Sequence, residues 1–453
     1  MRHRLLFFFI ILCAFLRPAD AVGADDAVPL TRAEAVAAAA CHHPRVEAAA
    51  SRQDAAAQKI RQARSGFMPL LTVSERFAST NNPMWAFGTR LNQERITLLD
   101  FDPDRLNNPD PIENFTTAIS VRWPLYDSGQ TIHGLRQARQ GAAAEGQRTR
   151  QTLQVAMAGA ARAYDGWLLA RKRLETIDHA IALARAQEKM IDERHRAGFV
   201  VKSDLLRARL HRSDLEQRRL TAQSAIAIAA ARLNAAMGRD PSATWTPADG
   251  LTADAGPPGT LAQWEANALD HRPEMAELAH HQAAAQSEID KRRAARLPGL
   301  SLFGDYEIHT EAFDDTGNNY TVGAMVQWDL FTGGRQAART DEARAALREL
   351  EARHRELAAA IAVQIREAYL SAESAWHRIP LAVAGVAQAD ETLRIVADRY
   401  QNGLVTVVDL LDAQSAAEKA RFDRLQAVYE YRSARVQLLL AAGVLDAEAL
   451  AAP

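Results

Sequence analysis

Few residue patterns in this 453-residue chain carry recognisable chemistry. Two adjacent histidine pairs, His42-His43 and His280-His281, are the candidates for holding a metal ion, because imidazole is the commonest metal ligand. Neighbouring side chains on a helix diverge by about 100°, so an adjacent pair rarely chelates one ion. Solvated helix histidines are the expectation, and His195, near a turn, is expected to be exposed in the same way. Cys41 lies by a helix break and has no base-and-orienter pattern around it that would make it a nucleophile. No glycine-rich phosphate loop, Gly-x-Ser-x-Gly, His-Glu-x-x-His or Cys-x-x-Cys occurs in the sequence. No catalytic residue, cofactor or metal site is expected, and an enzyme is a remote reading.

Composition points to helices instead. Hydrophobic residues make up 48% of the chain but aromatics only 6%, and much of the apolar share is alanine. Alanine mixed with Arg, Glu, Gln and Leu favours long, closely packed helices with little bulky core. The formal charge of -2 gives no support to nucleic-acid binding. Arg2 and Arg4 precede an apolar stretch from Leu5 to Leu16, with Ala19-Asp20-Ala21 behind it. That order predicts a secretory signal peptide over residues 1–21, with a second possible cut after Ala24. The apolar run is too short to span a bilayer, and no transmembrane helix is expected in the mature chain. Cys13 falls inside the signal, which leaves Cys41 single and predicts no disulfide within one mature chain.

The elements that would position any site are written twice. Leu30-Thr31 opens a helical stretch running to His43-Pro44, and Leu261 opens one running to Arg272-Pro273. From each proline 25 residues lead to another, Pro69 and Pro298, where alternating sequence begins. Trp123-Pro-Leu-Tyr-Asp-Ser-Gly129 in the first half answers Trp328-Asp-Leu-Phe-Thr-Gly-Gly334 in the second. Gly198-Phe-Val-Val-Lys-Ser-Asp204 and Gly403-Leu-Val-Thr-Val-Val-Asp409 each follow their tryptophan by 75 residues. Only the proline-to-tryptophan spacing differs, 54 residues against 30, an insertion of 24 in the first copy. The organisation is therefore a first repeat over 25–240, a linker over 241–260 and a second repeat over 261–445.

Before each tryptophan the apolar residues alternate with period two. Tyr320, Val322, Ala324, Val326, Trp328 and Leu330 share one face; Phe115, Thr117, Ile119, Val121 and Trp123 share another. Leu300, Leu302, Tyr306 and Ile308 form a third set, and Met68–Ala78 a weaker fourth, since Glu75 and Arg76 fall on opposite faces. Strands of about ten residues with an aromatic near one end suit a membrane wall. In lipid they must close to satisfy their backbones, and four strands are too few, so several copies have to share one barrel. Three copies would supply twelve strands. The long polar loop from Ser79 to Asn114 and the short one near Glu311–Asn319 are expected on the outer side.

No proline occurs from Ser128 to Arg196, which predicts one helix of about 100 Å at ~1.5 Å per residue. Gly334 to Arg399 repeats it, except at Pro380, which should kink or break the helix. Turns at Gly198 and Gly403 lead into return helices over about Lys202–Met237 and Thr406–Ala442.

From about Leu30 to Gly443 these residues resemble the TolC family of outer-membrane efflux channels. The resemblance rests on the duplicated Trp-x-Leu-(Tyr/Phe)-x-(Ser/Gly)-Gly junction, carried by Trp123, Gly129, Trp328 and Gly334, and on two tip turns with Arg194 and Arg399. It implies a mainly α fold with a transmembrane β-barrel portion: a homotrimer whose twelve-stranded barrel continues as a helical periplasmic tunnel. It further implies docking on an inner-membrane pump through a periplasmic adaptor. Asp409 and Asp412 match acidic residues that ring the pore constriction, although acids in a helix's first turn also serve the helix itself. Tyr400 matches a tyrosine linking the inner helix pair to the outer one, with Asp204 as its partner. Val405 stands where the family pattern has a gating arginine. The expected function is passive conduction from the periplasm to the outside as the outer-membrane part of a tripartite efflux pump. Type I polypeptide secretion and a periplasmic coiled-coil adaptor are the alternative readings.

Overall fold

The computed structural model describes residues 28–253, 255–256, 259–313 and 315–451, and the expected signal peptide lies outside them. The chain forms two compact units, each fed by both halves of the sequence. One comprises Met1–Arg52, Gly146–Glu277 and His354–Pro453; the other comprises Gln53–Glu145 and Leu278–Arg353.

The helices begin and end where local chemistry requires. Helix α1 (Arg32–His42) starts at Thr31, which forms a capping box with Glu34; α7 (Leu261–His271) starts at Thr260 with Gln263 in the same role. Pro44 and Pro273 force the preceding His43 and Arg272 into extended backbone, so both helices stop there. The chain resumes as α2 (Pro44–Ser65) and α8 (Pro273–Ala294), 22 residues each. The long helices α5 (Gln130–Arg196) and α9 (Arg335–Gln401) have 67 residues apiece. The return helices are α6 (Lys202–Met237) and α10 (Val407–Ala441). Pro380 neither breaks nor ends α9, contrary to the break the sequence allowed. The neighbouring Trp376 packs at a tilt against Tyr431 of α10, and such lateral packing offsets the missing backbone hydrogen bond.

Five separate hydrophobic clusters fill the helical unit. Tyr164, Trp167 and Leu168 of α5 meet Leu233 and Met237 of α6 in one; Ile361 and Ile365 of α9 meet Leu438 of α10 in another. The segment read as a linker takes part: β4 (Trp245–Pro247) pairs in parallel with β1 (Val28–Leu30). Asp165 of α5, fully buried, lies between two arginines, 3.3 Å from Arg32 and 2.8 Å from Arg432. Arg32 also donates to the Leu450 carbonyl and Arg432 to the Gly250 carbonyl, so this trio ties five stretches of chain together. The expectation for Cys41 turns on the one other cysteine in the sequence, Cys13, which lies outside the described residues.

The second unit holds a four-stranded antiparallel sheet in the order β2 (Leu70–Thr80), β3 (Ile112–Tyr126), β5 (Gly299–Thr310), β6 (Gly317–Gln327). Strand β6 stops before Trp328 and Leu330, which were expected to continue it. The long loop between β2 and β3 is partly helical: α3 (Pro83–Asn92), a 3-10 turn at Leu98–Phe101, and α4 (Pro103–Asn107). Asn82 and Asp102 cap those two helices, each followed by a proline at the first helical position.

Candidate functional site

Three regions carry the residues singled out by the sequence. In the helical unit, the tip turns after α5 and α9 have the same construction. Gly198 and Gly403 adopt left-handed backbone, φ +81° and +73°. The Phe199 amide donates to the Arg194 carbonyl and the Leu404 amide to the Arg399 carbonyl, both at 2.9 Å. These bonds satisfy carbonyls that a helix end otherwise leaves open. Between the turns, Ile191, Leu205, Tyr400, Val407 and Leu410 form a buried cluster.

Arg194 joins the two turns. Its guanidinium donates to the Tyr400 carbonyl at 3.0 Å and the Gln401 carbonyl at 2.7 Å, and stands 5.3 Å from the centre of the Tyr400 ring. A cation placed at a helix C-terminus also answers its dipole. The Tyr400 hydroxyl is buried with no hydrogen-bond partner among the described residues, and Asp204 acts on it only through space. Burial, with a smaller push from Asp204, raises the Tyr400 hydroxyl above the ordinary tyrosine range. The hydrogen-bonded link between helix pairs thus comes from Arg194, 206 residues from Tyr400, beside the packing of the Tyr400 ring against Ile191 and Leu205. Val405 packs against the tip cluster.

Arg194→Ala is expected to loosen the C-terminus of α9. Hydrogen bonds from a charged donor are worth about 1.5–3 kcal/mol. Protection of the Gly403 and Leu404 amides in hydrogen exchange should then fall by roughly tenfold or more, since ~1.4 kcal/mol is one decade. Arg194→Lys, unable to fork across two carbonyls, should fall between the two.

Asp409 closes a capping box at the start of α10. Its carboxylate accepts from the Thr406 amide at 2.8 Å and the Thr406 hydroxyl at 2.6 Å. Those bonds hold the Asp409 carboxyl below the usual range, so it is charged at neutral pH. Asp412, one turn on, is exposed like Asp409. Asp204 begins α6 with no such cap: Val201 is the N-cap residue and makes no side-chain bond.

The second region is the strand-to-helix junction. The Trp123 indole donates to the Phe67 carbonyl at 3.0 Å, and the Trp328 indole to the Arg296 carbonyl at 2.9 Å. Each pins the end of α2 or α8 to the exit of its strand. Ser128-Gly129 and Gly333-Gly334 then turn through consecutive left-handed residues into α5 and α9.

The third region is the sheet. Register places Val73, Ile119, Tyr306 and Tyr320 side by side, with Leu71, Val121, Gly304 and Val322 in the next row. Outside the row beyond Val73, which holds Glu75, Thr117 and Asn318, this face is apolar and uncovered: Val73 is 67%, Val322 73% and Val326 70% exposed. The opposite face carries Arg122, Ser120, Asp305, Glu307 and His309, with Ser120 donating to Asp305 at 2.5 Å. Part of that polar face is buried where Gln93, at the end of α3, donates to Asn114 at 3.0 Å and Asn114 lies 3.0 Å from His309. Strands β2 and β6 each pair on one side only among the described residues.

Of the singled-out histidines, His42 and His281 are exposed as expected, while His43, His195 and His280 are partly buried. His195 is half-buried, its Nδ1 3.0 Å from the Val200 carbonyl, because the tight tip turn folds that carbonyl back onto it. His280 is partly buried against Gln140 at 2.8 Å. No group of three or more His, Cys, Asp or Glu side chains able to hold a metal ion occurs among the described residues.

The family model described as outer membrane efflux protein matches residues 35–239 and 264–444. The chain belongs to the outer membrane efflux protein family. It is thus an outer-membrane channel component with its helices in the periplasm. The efflux protein is 28% identical to protein CyaE of Bordetella pertussis, over 94% of this chain and 86% of that one. It is 24% identical to the alkaline protease secretion protein AprF of Pseudomonas aeruginosa, over 93% and 86%. The pyoverdine export outer membrane protein OpmQ of the same organism is 28% identical, over 38% of each chain. Among solved structures, the Campylobacter jejuni CmeC outer membrane channel superimposes with a TM-score of 0.76 at 16% identity, over 92% of this chain and 87% of that one.

Proposed function

We propose that three copies of the chain close one twelve-stranded barrel in the outer membrane, and that substrates handed over by an inner-membrane pump leave through it. The observation that supports this most is the sheet. Two half-paired edge strands and an uncovered apolar face are intolerable together in water, but fit a wall shared between copies in lipid. Closure would join β2 of one copy to β6 of the next and turn the Arg122–Asp305 face toward the lumen. An even count of twelve strands suits a bacterial barrel.

The tip turns are read as the periplasmic entrance. Phe199, Val201 and Leu404 are exposed there, an apolar set suited to a periplasmic adaptor. Asp409 and Asp412 on each copy would place six carboxylates around the constriction, where they favour bound cations. Within each copy the Thr406 bonds favour the ionised form of Asp409. Polypeptide cargo is the second reading. AprF, by its name a protease secretion protein, matches along nearly the whole chain, whereas OpmQ matches over 38% of it.

The test is conductance in planar bilayers. The wild-type chain should run as a trimer from the outer-membrane fraction and be blocked by divalent cations from the tip side. Asp409→Ala with Asp412→Ala should weaken that block by roughly tenfold or more, about 1.4 kcal/mol of lost cation attraction. Unchanged block would remove both carboxylates from the constriction, and a water-soluble monomer would overturn the channel.

A further inference from the structure

We propose that Arg61, Arg64, Arg136 and Arg139 form a seat for the phosphate headgroup of an anionic phospholipid in the inner leaflet of the outer membrane, one seat on each copy. The inference rests on the membrane reading of the sheet above.

The duplication supplies the comparison. Arg61 and Arg64 near the end of α2 correspond to Asp290 and Arg293 of α8, and Arg136 and Arg139 near the start of α5 to Asp341 and Arg344 of α9. In the second repeat these positions make two self-contained ion pairs, Asp290 with Arg293 at 3.4 Å and Asp341 with Arg344 at 2.8 Å. In the first repeat both acids are replaced by arginine. All four arginines are exposed, and none makes a side-chain hydrogen bond or ion pair among the described residues. Across residues 55–68 and 124–144 the single acid is Asp127, and its carboxylate is taken up by the Gly129 and Thr131 amides at the start of α5.

The four side chains share one face of the α2–α5 pair. On α5, Thr131 packs toward Gly66 behind α2 and Gln140 toward His280 of α8, half a turn apart at ~100° per residue. Arg136 and Arg139 fall between them on one side, together with Ile132, which is 46% exposed; Gly134 and Gly141 fall on the other. On α2, Ala49 and Ala56 are buried, and Thr149 of α5 donates to the Ala49 carbonyl, so that stripe faces α5. Because α2 runs antiparallel to α5, Arg61 and Arg64 lie on the same side of the pair as Arg136 and Arg139. Chain handedness turns this side outward. Pro124 has no amide to give Ser301 opposite, so the odd positions of β3, which carry Ile119 and Val121, bond toward β5. For L-residues that sets β5 on the left of the descending β3 and β2 on its right, seen from the apolar face of the sheet. The helix α5 descends from β3 with α2 likewise on its right, and right-handed winding brings Ile132, Arg136 and Arg139 to the viewer's side.

Height and chemistry then select the occupant. Phe67, Met68, Leu125 and Tyr126 are exposed at the junction and edge the apolar wall, as aromatic girdles do at a membrane interface. Arg64 precedes Phe67 by three residues and Arg139 follows Gly129 by ten, so all four arginines lie within about 15 Å of that edge at ~1.5 Å per residue. Their long stems reach back toward the headgroup layer. A guanidinium meets a phosphate through paired N–H donors, and basic clusters beside a membrane select anionic lipids. Four permanent positive charges with no acid to answer them fit such a headgroup; the self-paired second repeat does not.

The test is native mass spectrometry of the full-length trimer in detergent, titrated with phosphatidylglycerol and, in parallel, with zwitterionic phosphatidylethanolamine. Wild type should hold phosphatidylglycerol roughly tenfold or more tightly. Arg61→Asp with Arg136→Asp, which copies the second repeat's residues into the first, should abolish that preference, and changing all four arginines to Gln should do the same. Arg293→Gln with Arg344→Gln, at the matching positions of the second repeat, should leave it intact. A wild-type trimer without the preference, or a preference that survives Arg61→Asp with Arg136→Asp, overturns the seat and leaves the channel standing. Absence of the trimer in wild type overturns the membrane reading itself. Loss of the trimer in both first-repeat variants would assign this face to contact between copies, which also overturns the seat. So would an altered anion-to-cation permeability in planar bilayers of neutral lipid without any change in lipid binding, since it would put the arginines in the bore.

Discussion

Asp165→Ala is expected to destabilise the helical unit by about 3–5 kcal/mol, the range for removing one partner of a buried ion pair. The residue is fully buried between Arg32 and Arg432, and both guanidinium groups would stay behind without their counter-charge. Arg32 is itself buried enough that desolvation pulls its pKa below the arginine norm, against the attraction of Asp165. Burial likewise pushes the Asp165 carboxyl up, and the two arginines pull it back. A trio in which desolvation leads on both sides adds little stability as a set, but penalises any single loss. Replacing all three at once (Arg32→Met, Asp165→Leu, Arg432→Met) should therefore recover most of what Asp165→Ala loses. The measurement is the urea midpoint of helical circular dichroism in detergent. An Asp165→Ala midpoint within error of wild type, or a triple variant no better than the single, would refute this account.

Gly238→Ala should be the most damaging of the glycine substitutions, at about 2–5 kcal/mol. Gly238 ends α6 at φ +70°, and a Cβ there would lie 2.2 Å from the His42 carbonyl oxygen. Left-handed backbone costs an L-residue about 1–2 kcal/mol, and overpacking adds about 1–3. Because the obstacle is backbone, no rotamer change relieves it. The same geometry recurs at Gly443, whose Cβ would meet the Arg272 backbone at 2.8 Å. Gly198 is the control: its φ is +81°, but nothing lies within 4 Å, so Gly198→Ala carries only the backbone term. The difference between Gly238→Ala and Gly198→Ala in the same denaturation experiment isolates the cost of the contact.

These two results also mark what could be read from the residues. The proline-free run from Ser128 to Arg196 announced α5, and its bounds came within two residues of the observed helix. Alternation announced the strands, because period two survives wherever one face meets a different medium from the other. It overran β6, since Trp328 keeps the phase of the pattern while leaving the strand to bind the Arg296 carbonyl. Pro380 does not break α9, because the penalty for a helical proline is set in isolation and Trp376 nearby packs against Tyr431 of α10. The helices within the long loop were missed although Asn82-Pro83 and Asp102-Pro103 both carry a cap followed by proline. The site was legible in its residue list and not in its wiring. Tyr400 and Arg194 were both singled out, but the bond from Arg194 to the Tyr400 carbonyl joins distant segments and no local pattern announced it. The Arg32–Asp165–Arg432 trio left no trace at all, for its members share neither a motif nor a spacing.

The interior of the helical unit is five separate apolar clusters, and the one at the tips involves residues 190–208 and 393–411 alone. Nothing in that set is shared with the clusters around Tyr164 or Ile361. Such an arrangement is modular. The tip cluster, residues 190–208 together with 393–411, can be exchanged as a cassette while the remaining clusters keep their packing. Substitutions at the tips are thus free to accumulate within a few dozen residues without disturbing the packing elsewhere.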